Sequence, residues 1–357
     1  VTFRPLCLFV TGGAGFIGSN FIRWALDRDP AISIINFDLL SYAGNLESLT
    51  DVDDKHGARG DGRYHFIQGD VRSLQDVTAA LAGRGMLPSP DCVVHLAAES
   101  HVDRSIMGPA VFVDTNVRGT LTLLEACRAT LAEQPRPFRF VHISTDEVYG
   151  SLGETEPAFT EHTPLAPNSP YSASKAGSDL LVRAYIETFG FPAIITRCSN
   201  NYGPYQFPEK LIPLMITRAL GDQPLPVYGD GMNVRDWLFV VDHASAIWGV
   251  LTAGRVGEVY NIGGSAELAN IDVVRMVLHE LGKPESLIQY VTDRPGHDRR
   301  YAMNTDKLCR ELGWHAEHTL ERGLVTTIRW YLDNRRWWER VLSEAYRASN
   351  ALYLKRV

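Results

Sequence analysis

At 357 residues and 45% apolar content the chain can bury a large core and hold two lobes. Its 35 basic and 42 acidic side chains leave a formal charge of -7, which removes the electrostatic case for nucleic acid or an anionic membrane as a partner. No apolar stretch is long enough to span a bilayer, and Arg4 and Pro5 followed at once by a strand do not make a signal-peptide layout, so a cytoplasmic protein is expected.

In chain order, Leu6 to Val10 reads as a short buried strand. Thr11-Gly12-Gly13-Ala14-Gly15-Phe16-Ile17-Gly18 follows and leads into an apolar-periodic helix over Phe21 to Leu26. Gly13, Gly15 and Gly18 fit G-x-G-x-x-G, while Gly12, Gly15 and Gly18 fit G-x-x-G-x-x-G. Either spacing puts bare backbone at a helix N-terminus, where amides and the macrodipole favour a pyrophosphate. The run Ile32 to Phe37 ends in Asp38, about 20 residues past the last glycine, where a carboxylate can accept hydrogen bonds from a ribose. It would repel a 2′-phosphate, so NAD is expected rather than NADP. Asp51 to Arg63, with four aspartates and three glycines, reads as an exposed loop.

Further strands are predicted at Tyr64 to Ile67, Cys92 to Leu96, Phe138 to Ile143, Ala193 to Thr196 and Val259 to Ile262. Helices are predicted at Ala110 to Leu131, Tyr171 to Phe189, Glu209 to Leu220, Asp242 to Leu251, Ile271 to Leu281 and Leu320 to Asn334. The alternation implies an α/β fold, a Rossmann-type doubly wound parallel sheet with helices on both faces. After Arg197 the pattern breaks at Pro204, Pro208, Pro213, Pro224 and Pro226, as suits a smaller, mixed substrate-binding lobe. The expected division is residues 1–198 plus about 236–262 for the dinucleotide domain, about 199–235 plus 263–334 for the second lobe, and 335–357 as a tail. Trp337, Trp338, Tyr346 and Tyr353 could dock that tail on the body or on another subunit, and the sequence leaves both open.

Cys7, Cys92, Cys127, Cys198 and Cys309 are scattered, odd in number and never spaced C-x-x-C, and read as reduced thiols in or near the core. His315 and His318, with only Glu317 as a further ligand, read as part of a surface loop, and no metal is expected.

The chemistry concentrates after Phe138 to Ile143. Tyr171 and Lys175, four apart on a helix, share a face, so the ammonium is expected to lower the phenol pKa and make a base for oxidising an alcohol. Thr145, Asp146 and Glu147 offer a carboxyl pair for removing water. On a regular strand the two carboxyls would diverge, so they must sit where the strand is turning, and Tyr149 and Gly150 fit such an exit.

The glycine turn, Asp38, Leu96-Ala97-Ala98, Ser144-Thr145-Asp146-Glu147-Val148-Tyr149-Gly150, Tyr171-Ser172-Ala173-Ser174-Lys175 and Arg197-Cys198-Ser199-Asn200-Asn201-Tyr202-Gly203-Pro204 give the chain its resemblance. From Leu6 to about Leu332 it resembles the extended short-chain dehydrogenases, and among them the dTDP-glucose 4,6-dehydratase family. The resemblance implies NAD contacts at Gly12, Gly15, Phe16, Ile17, Gly18, Asp38, Leu39, Leu40, Ser41, Asp70, Val71, Leu96, Ala97, Ala98, Glu99, Ser100, Thr115, Tyr171, Lys175 and Asn201. It implies dTDP-glucose contacts at Ser100, Thr145, Asn200, Lys210, Leu211, Pro226, Val227, Tyr228, Arg235, Asn270, Asp293, Arg294, Pro295, Gly296 and His297. Arg235 and Arg294 would be forked donors to the diphosphate.

The implied reaction oxidises the sugar at C4 with Tyr171 as base, eliminates water across C5 and C6 with Glu147 as base and Asp146 as acid, and returns the hydride to C6. A homodimer built on the helices over Ala110 to Leu131 and Tyr171 to Phe189 is implied as well. A nucleotide-sugar 4-epimerase or decarboxylase would share the fold, NAD, Tyr171 and Lys175 but would not need the Asp-Glu pair. A non-catalytic NAD-binding protein would be expected to have lost one of the four reactive residues.

Overall fold

The computed structural model describes residues 2–82 and 88–343. Its strands are β1 (Cys7–Thr11), β2 (Ser33–Asp38), β3 (Tyr64–Gln68), β4 (Cys92–His95), β5 (Arg139–Thr145), β6 (Ala193–Cys198), β7 (Asn200–Tyr202), β8 (Leu225–Tyr228), β9 (Val234–Phe239), β10 (Val259–Ile262), β11 (Glu267–Ala269) and β12 (Ile288–Val291). Seven of them form one sheet in the order β10-β6-β5-β4-β1-β2-β3, every neighbour parallel. Strand order reverses between β1 and β4, and a ligand crevice opens at the carboxyl ends of strands at such a point. β1, β4 and β5 are buried along their whole length, which explains why they read as unbroken apolar runs. One core lies on each face of this sheet, and a third lies between the helices and short strands of the second lobe. That lobe contains a three-stranded sheet, β11-β9-β7, and a parallel pair, β12-β8.

Two expectations about elements need correction. Asp51 to Arg63 is not an exposed loop, because Thr50–His56 is a helix whose Val52 and His56 are buried. Its acids stand in the first turn and Lys55 and His56 in the last, matching the helix dipole. Ion pairs of Asp51 with Arg23 and of Lys55 with Asp27 fasten it to the Phe16–Arg28 helix, so the polarity that looked like a loop is an exposed helical face. The predicted helix over Ala110 to Leu131 is also not uniform. Ala110–Phe112 and Gly119–Glu133 are α-helical, but Val113–Arg118 between them is a π-helical turn.

Cys309 is exposed, unlike the other four cysteines, which are buried. His318 does not lie free in a surface loop, since its ring meets the Asp242 carboxylate at 2.8 Å. Of the tail, Arg335–Leu342 is a helix packed on the chain's own body, with Trp338 buried and its indole N–H donating to the Tyr331 carbonyl at 2.8 Å. Tyr346 and Tyr353 lie outside the described residues. No helix among the described residues is long and apolar enough to cross a membrane.

Candidate active site

The glycine turn is shaped by contacts that leave no room for side chains. Gly12 has φ +71°, a region open chiefly to glycine, and a Cβ there would stand 2.6 Å from the Ala97 nitrogen. A Cβ on Gly18 would stand 2.3 Å from the Gly12 carbonyl oxygen, so this glycine lets the helix start against the turn. Asp38 ends β2 and holds the turn from the side. Its carboxylate accepts from the Ala14 N–H at 2.9 Å and the Leu40 N–H at 2.8 Å, while burial pushes its pKa up. The helix N-terminus over Phe16 faces a cleft of about 340 Å³ that has the bare backbone and amide field a pyrophosphate needs.

Most residues expected at a dinucleotide line that cleft: Gly12, Gly15, Phe16, Ile17, Gly18, Asp38, Leu39, Ser41, Asp70, Val71, Leu96, Ala97, Ala98, Glu99, Ser100, Thr115, Tyr171, Lys175 and Asn201. Leu40 does not, and spends a positive φ of 58° on the bend behind Asp38. Asp70 is chelated by the Arg72 guanidinium at 2.7 Å and reaches the cleft from β3's carboxyl end.

Tyr171 and Lys175 stand in the first turns of the Pro170–Phe189 helix. Ser169 and Ser172 make a reciprocal capping box there, and Pro170 supplies a ready helical φ, so sequence fixes where this helix begins. β5 ends at Thr145 and a 3-10 turn, Asp146–Tyr149, follows at once. That turn brings Thr145, Asp146 and Glu147 all to the cleft wall beside Tyr171. The Thr145 hydroxyl donates to Asp146 Oδ1 at 3.2 Å, while Asp146 Oδ2 is buried without a partner among the described residues.

The electrostatics separate the carboxyls. Burial raises the Asp146 pKa well above the ordinary carboxylate range, and Glu147 and Asp236 add to the shift. Burial also raises Glu147, but Arg294, Lys210 and Arg235 pull it back toward ionisation. Asp146 is thus held toward its acid form, and Glu147 is the carboxyl with Arg294 and Lys210 to support its ionised form.

The expected effect of Lys175 on Tyr171 is not seen. Burial pushes the Tyr171 pKa well up and Glu147 pushes it further. The Lys175 ammonium instead donates to the Ile143 carbonyl at 2.7 Å. Sharing a helix face does not oblige two side chains to meet.

Residues expected at the nucleotide sugar divide into two groups. Ser100, Thr145, Asn200, Lys210 and Leu211 line the cleft, and Lys210 donates to the Ser100 carbonyl at 2.9 Å. Pro226, Val227, Tyr228, Arg235, Asn270, Asp293, Arg294, Pro295, Gly296 and His297 do not line it. Several of these meet beyond it: the Tyr228 hydroxyl and the Arg294 guanidinium both donate to Asp103, at 3.4 and 3.3 Å, and His297 pairs with Asp293 at 2.5 Å. Arg235 is buried, lies 4.2 Å from the Tyr301 ring centroid and donates to the Asp298 carbonyl at 2.9 Å.

Sequence reasoning missed Asn116. This buried residue of the π-helical turn takes the Glu99 N–H at 2.9 Å and donates to the Glu99 carbonyl and the Ser174 hydroxyl, tying the end of β4 to the Tyr171 helix. An asparagine inside an apolar-periodic segment was the available signal, since that side chain disfavours helix interiors unless it has a partner. Asp103, Glu209 and Trp337 carried no comparable signal.

The chain matches the GDP-mannose 4,6 dehydratase family model over residues 9–327 and belongs to that family. It is 55% identical to the dTDP-glucose 4,6-dehydratase of Neisseria meningitidis serogroup B (strain ATCC BAA-335 / MC58) over 355 residues, covering 95% of this chain and 97% of that one. Among solved structures it is similar to DesIV, a dTDP-glucose 4,6-dehydratase from Streptomyces venezuelae crystallised with NAD bound, with TM-score 0.86, 48% identity, and 94% and 100% of the two chains covered. It shares its architecture with the UDP-glucose 4-epimerase of Thermus thermophilus as well, at TM-score 0.81 and 29% identity over 92% of this chain and all of that one.

Proposed function

We propose that this chain is an NAD-dependent hydro-lyase that converts dTDP-glucose to dTDP-4-keto-6-deoxyglucose and water. The observation that carries the reading is the pair Asp146 and Glu147 on the cleft wall beside Thr145 and Tyr171, both pushed toward protonation by burial and with the cations of Arg294 and Lys210 acting on Glu147. An epimerase needs the fold, the cofactor and the tyrosine, but not this pair. The full-length similarity to dTDP-glucose 4,6-dehydratases supports the same choice.

Bound NAD supplies a hydride acceptor for C4 that returns the hydride to C6 and, while oxidised, a positive charge that favours the Tyr171 phenolate. Gly12, Gly15, Gly18 and Asp38 would hold it. Tyr171 takes the proton of the sugar 4-hydroxyl, with Thr145 beside it on the cleft wall. The resulting ketone acidifies C5. Glu147 removes the C5 proton, its carboxylate form supported by Arg294, Lys210 and Arg235. Asp146, held protonated by burial, gives its proton to the departing 6-hydroxyl so that water leaves, and the C5 proton is then restored.

The fate of the hydride tests this reading. With substrate deuterated at C4, the label should appear in the C6 methyl group, and an unlabelled substrate in D₂O should gain solvent deuterium at C5. No stoichiometric NADH should be released. Label lost to solvent, or a 4-epimer as sole product, would remove the dehydratase reading.

A homodimer and a cytoplasmic location belong to the same proposal. Leu121, on the Gly119–Glu133 helix, and Leu180 and Phe189, on the Pro170–Phe189 helix, are exposed apolar residues that a four-helix interface between two copies would cover. A monomeric mass by light scattering at micromolar concentration would exclude the dimer. Five unpaired cysteines suit a reducing compartment.

A further inference from the structure

One wall of the cleft carries polar atoms that no other side chain or backbone group satisfies among the described residues. Asn45 is pressed against the glycine turn, since its backbone N–H donates to the Ala14 carbonyl at 2.9 Å. Its Oδ1 caps the following 3-10 turn by accepting from the Glu47 N–H at 3.0 Å, which leaves Nδ2 buried without a partner. Trp337, from the Arg335–Leu342 helix, lines the same cleft, and its indole N–H is likewise buried without a partner. Only 7% of the Asn45 surface is exposed, so water does not compensate readily. A chain that buries two donors beside a cleft leaves them for something that enters the cleft.

The helix that brings Trp337 there is anchored on both sides. Arg340 pairs with Glu47 at 2.5 Å, on the turn that Asn45 caps. The Trp337 ring packs against Trp330 at 5.1 Å and edge-on to Tyr205 at 5.9 Å, and the Arg23 guanidinium covers Tyr205 at 4.5 Å. Val341 completes the wall. The C-terminal helix therefore reaches across to the rim of the glycine turn, the part of the cleft where a dinucleotide's negative charge belongs.

We propose that Asn45 and Trp337 are cofactor-binding residues whose N–H groups donate, directly or through one water, to the pyrophosphate of bound NAD, and that the Arg335–Leu342 helix clasps the cofactor between turnovers. Two buried donors on residues that line one cleft call for an acceptor, and the pyrophosphate is the acceptor-only part of the molecule. A clasp suits a reaction that returns its hydride, because the cofactor has no need to leave. The inference rests on the NAD reading above.

The test uses the full chain stripped of nucleotide, with NAD affinity measured by calorimetry and NAD release followed in time. Trp337→Phe keeps an aromatic ring beside Trp330 and Tyr205 while removing the N–H together with the rest of the bicycle. Asn45→Asp keeps the capping oxygen but turns the donor into a second anion. NAD should bind Trp337→Phe roughly tenfold more weakly, as expected for one lost hydrogen bond to a charged group, and should leave faster. Asn45→Asp should lose more, because it adds repulsion. Folded variants that bind and release NAD as the parent does would overturn the clasp. A parent that binds no NAD would instead overturn the cofactor reading on which it rests.

Discussion

Around the glycine turn the cleft is made of backbone, whereas the region implied for the nucleotide end of the substrate is made of charged side chains that answer one another. In the first, Gly12, Ala14 and Asn45 are fixed by bonds to Phe37, Asp38 and Ala14, all within one βαβ stretch. In the second, Asp103 receives both Arg294 and Tyr228 from far along the chain, Asp293 holds His297, and Arg235 is spent on backbone carbonyls. The cofactor side is preorganised and waits for its ligand. On the proposed reading the substrate side would exchange internal ion pairs for a diphosphate, so its single residues should matter less than single atoms of the turn.

The carboxyl pair at the seam between these halves should show the largest effect. In Asp146→Asn with Glu147→Gln the alcohol can still be oxidised by way of Tyr171, but elimination lacks its acid and base. Turnover should fall roughly 10²- to 10⁴-fold while reduced cofactor builds up on the enzyme. No absorbance of reduced cofactor on mixing with substrate would mean that the pair acts before the hydride moves. Asp146→Asn alone also reports on stability. The folded-state pKa of Asp146 is raised above 3.8, so the folded chain keeps a proton where the unfolded chain has lost it. Stability from this group is full below the unfolded value and is lost as pH rises toward the folded one. The melting temperature of Asp146→Asn should therefore gain on the parent as pH climbs from about 4, and a constant gap would contradict the raised pKa.

Gly18→Ala probes the preorganised half. Its Cβ meets backbone of Gly12 and Gly13 rather than a movable side chain, so the turn must open. Overpacking of this kind costs about 1–3 kcal/mol, which taken from cofactor binding is roughly a fivefold to hundredfold weaker NAD constant. Unchanged affinity would show that the turn is softer than its contacts imply.

The same contrast decides how far the site could be read from sequence. Glycine turn, Asp38, the ends of β4 and β5 and the Tyr171 helix are local: strand, turn and cap lie within a few residues, and their pattern is visible in one dimension. The Thr50–His56 helix reads as a loop in sequence because its buried face is one valine and one histidine, too narrow a stripe for periodicity. The strands of the second lobe are three to six residues long and pair across the chain, which no window of sequence reports. Asp103 is silent in sequence for the same reason, since its partners are 125 and 191 residues away.

Asp103 gives the smallest expected effect and the sharpest test of the substrate half. Its carboxylate is partly exposed and holds Arg294 at 3.3 Å, the same guanidinium that the family resemblance implies for the diphosphate. Asparagine at this position can still accept from the Tyr228 hydroxyl, so the local fold has a reason to persist. What changes is charge: Arg294 no longer has a competing anion, and an incoming diphosphate no longer meets one. A partly exposed pair of this type is worth about 0–1 kcal/mol, so KM for dTDP-glucose should fall up to roughly fivefold. kcat should change less than KM, because Asp103 reaches the carboxyl pair only by way of Arg294. A KM that rises with kcat intact would mean that Asp103 holds Arg294 in its binding position rather than competing for it, and the substrate half would then be as preorganised as the turn.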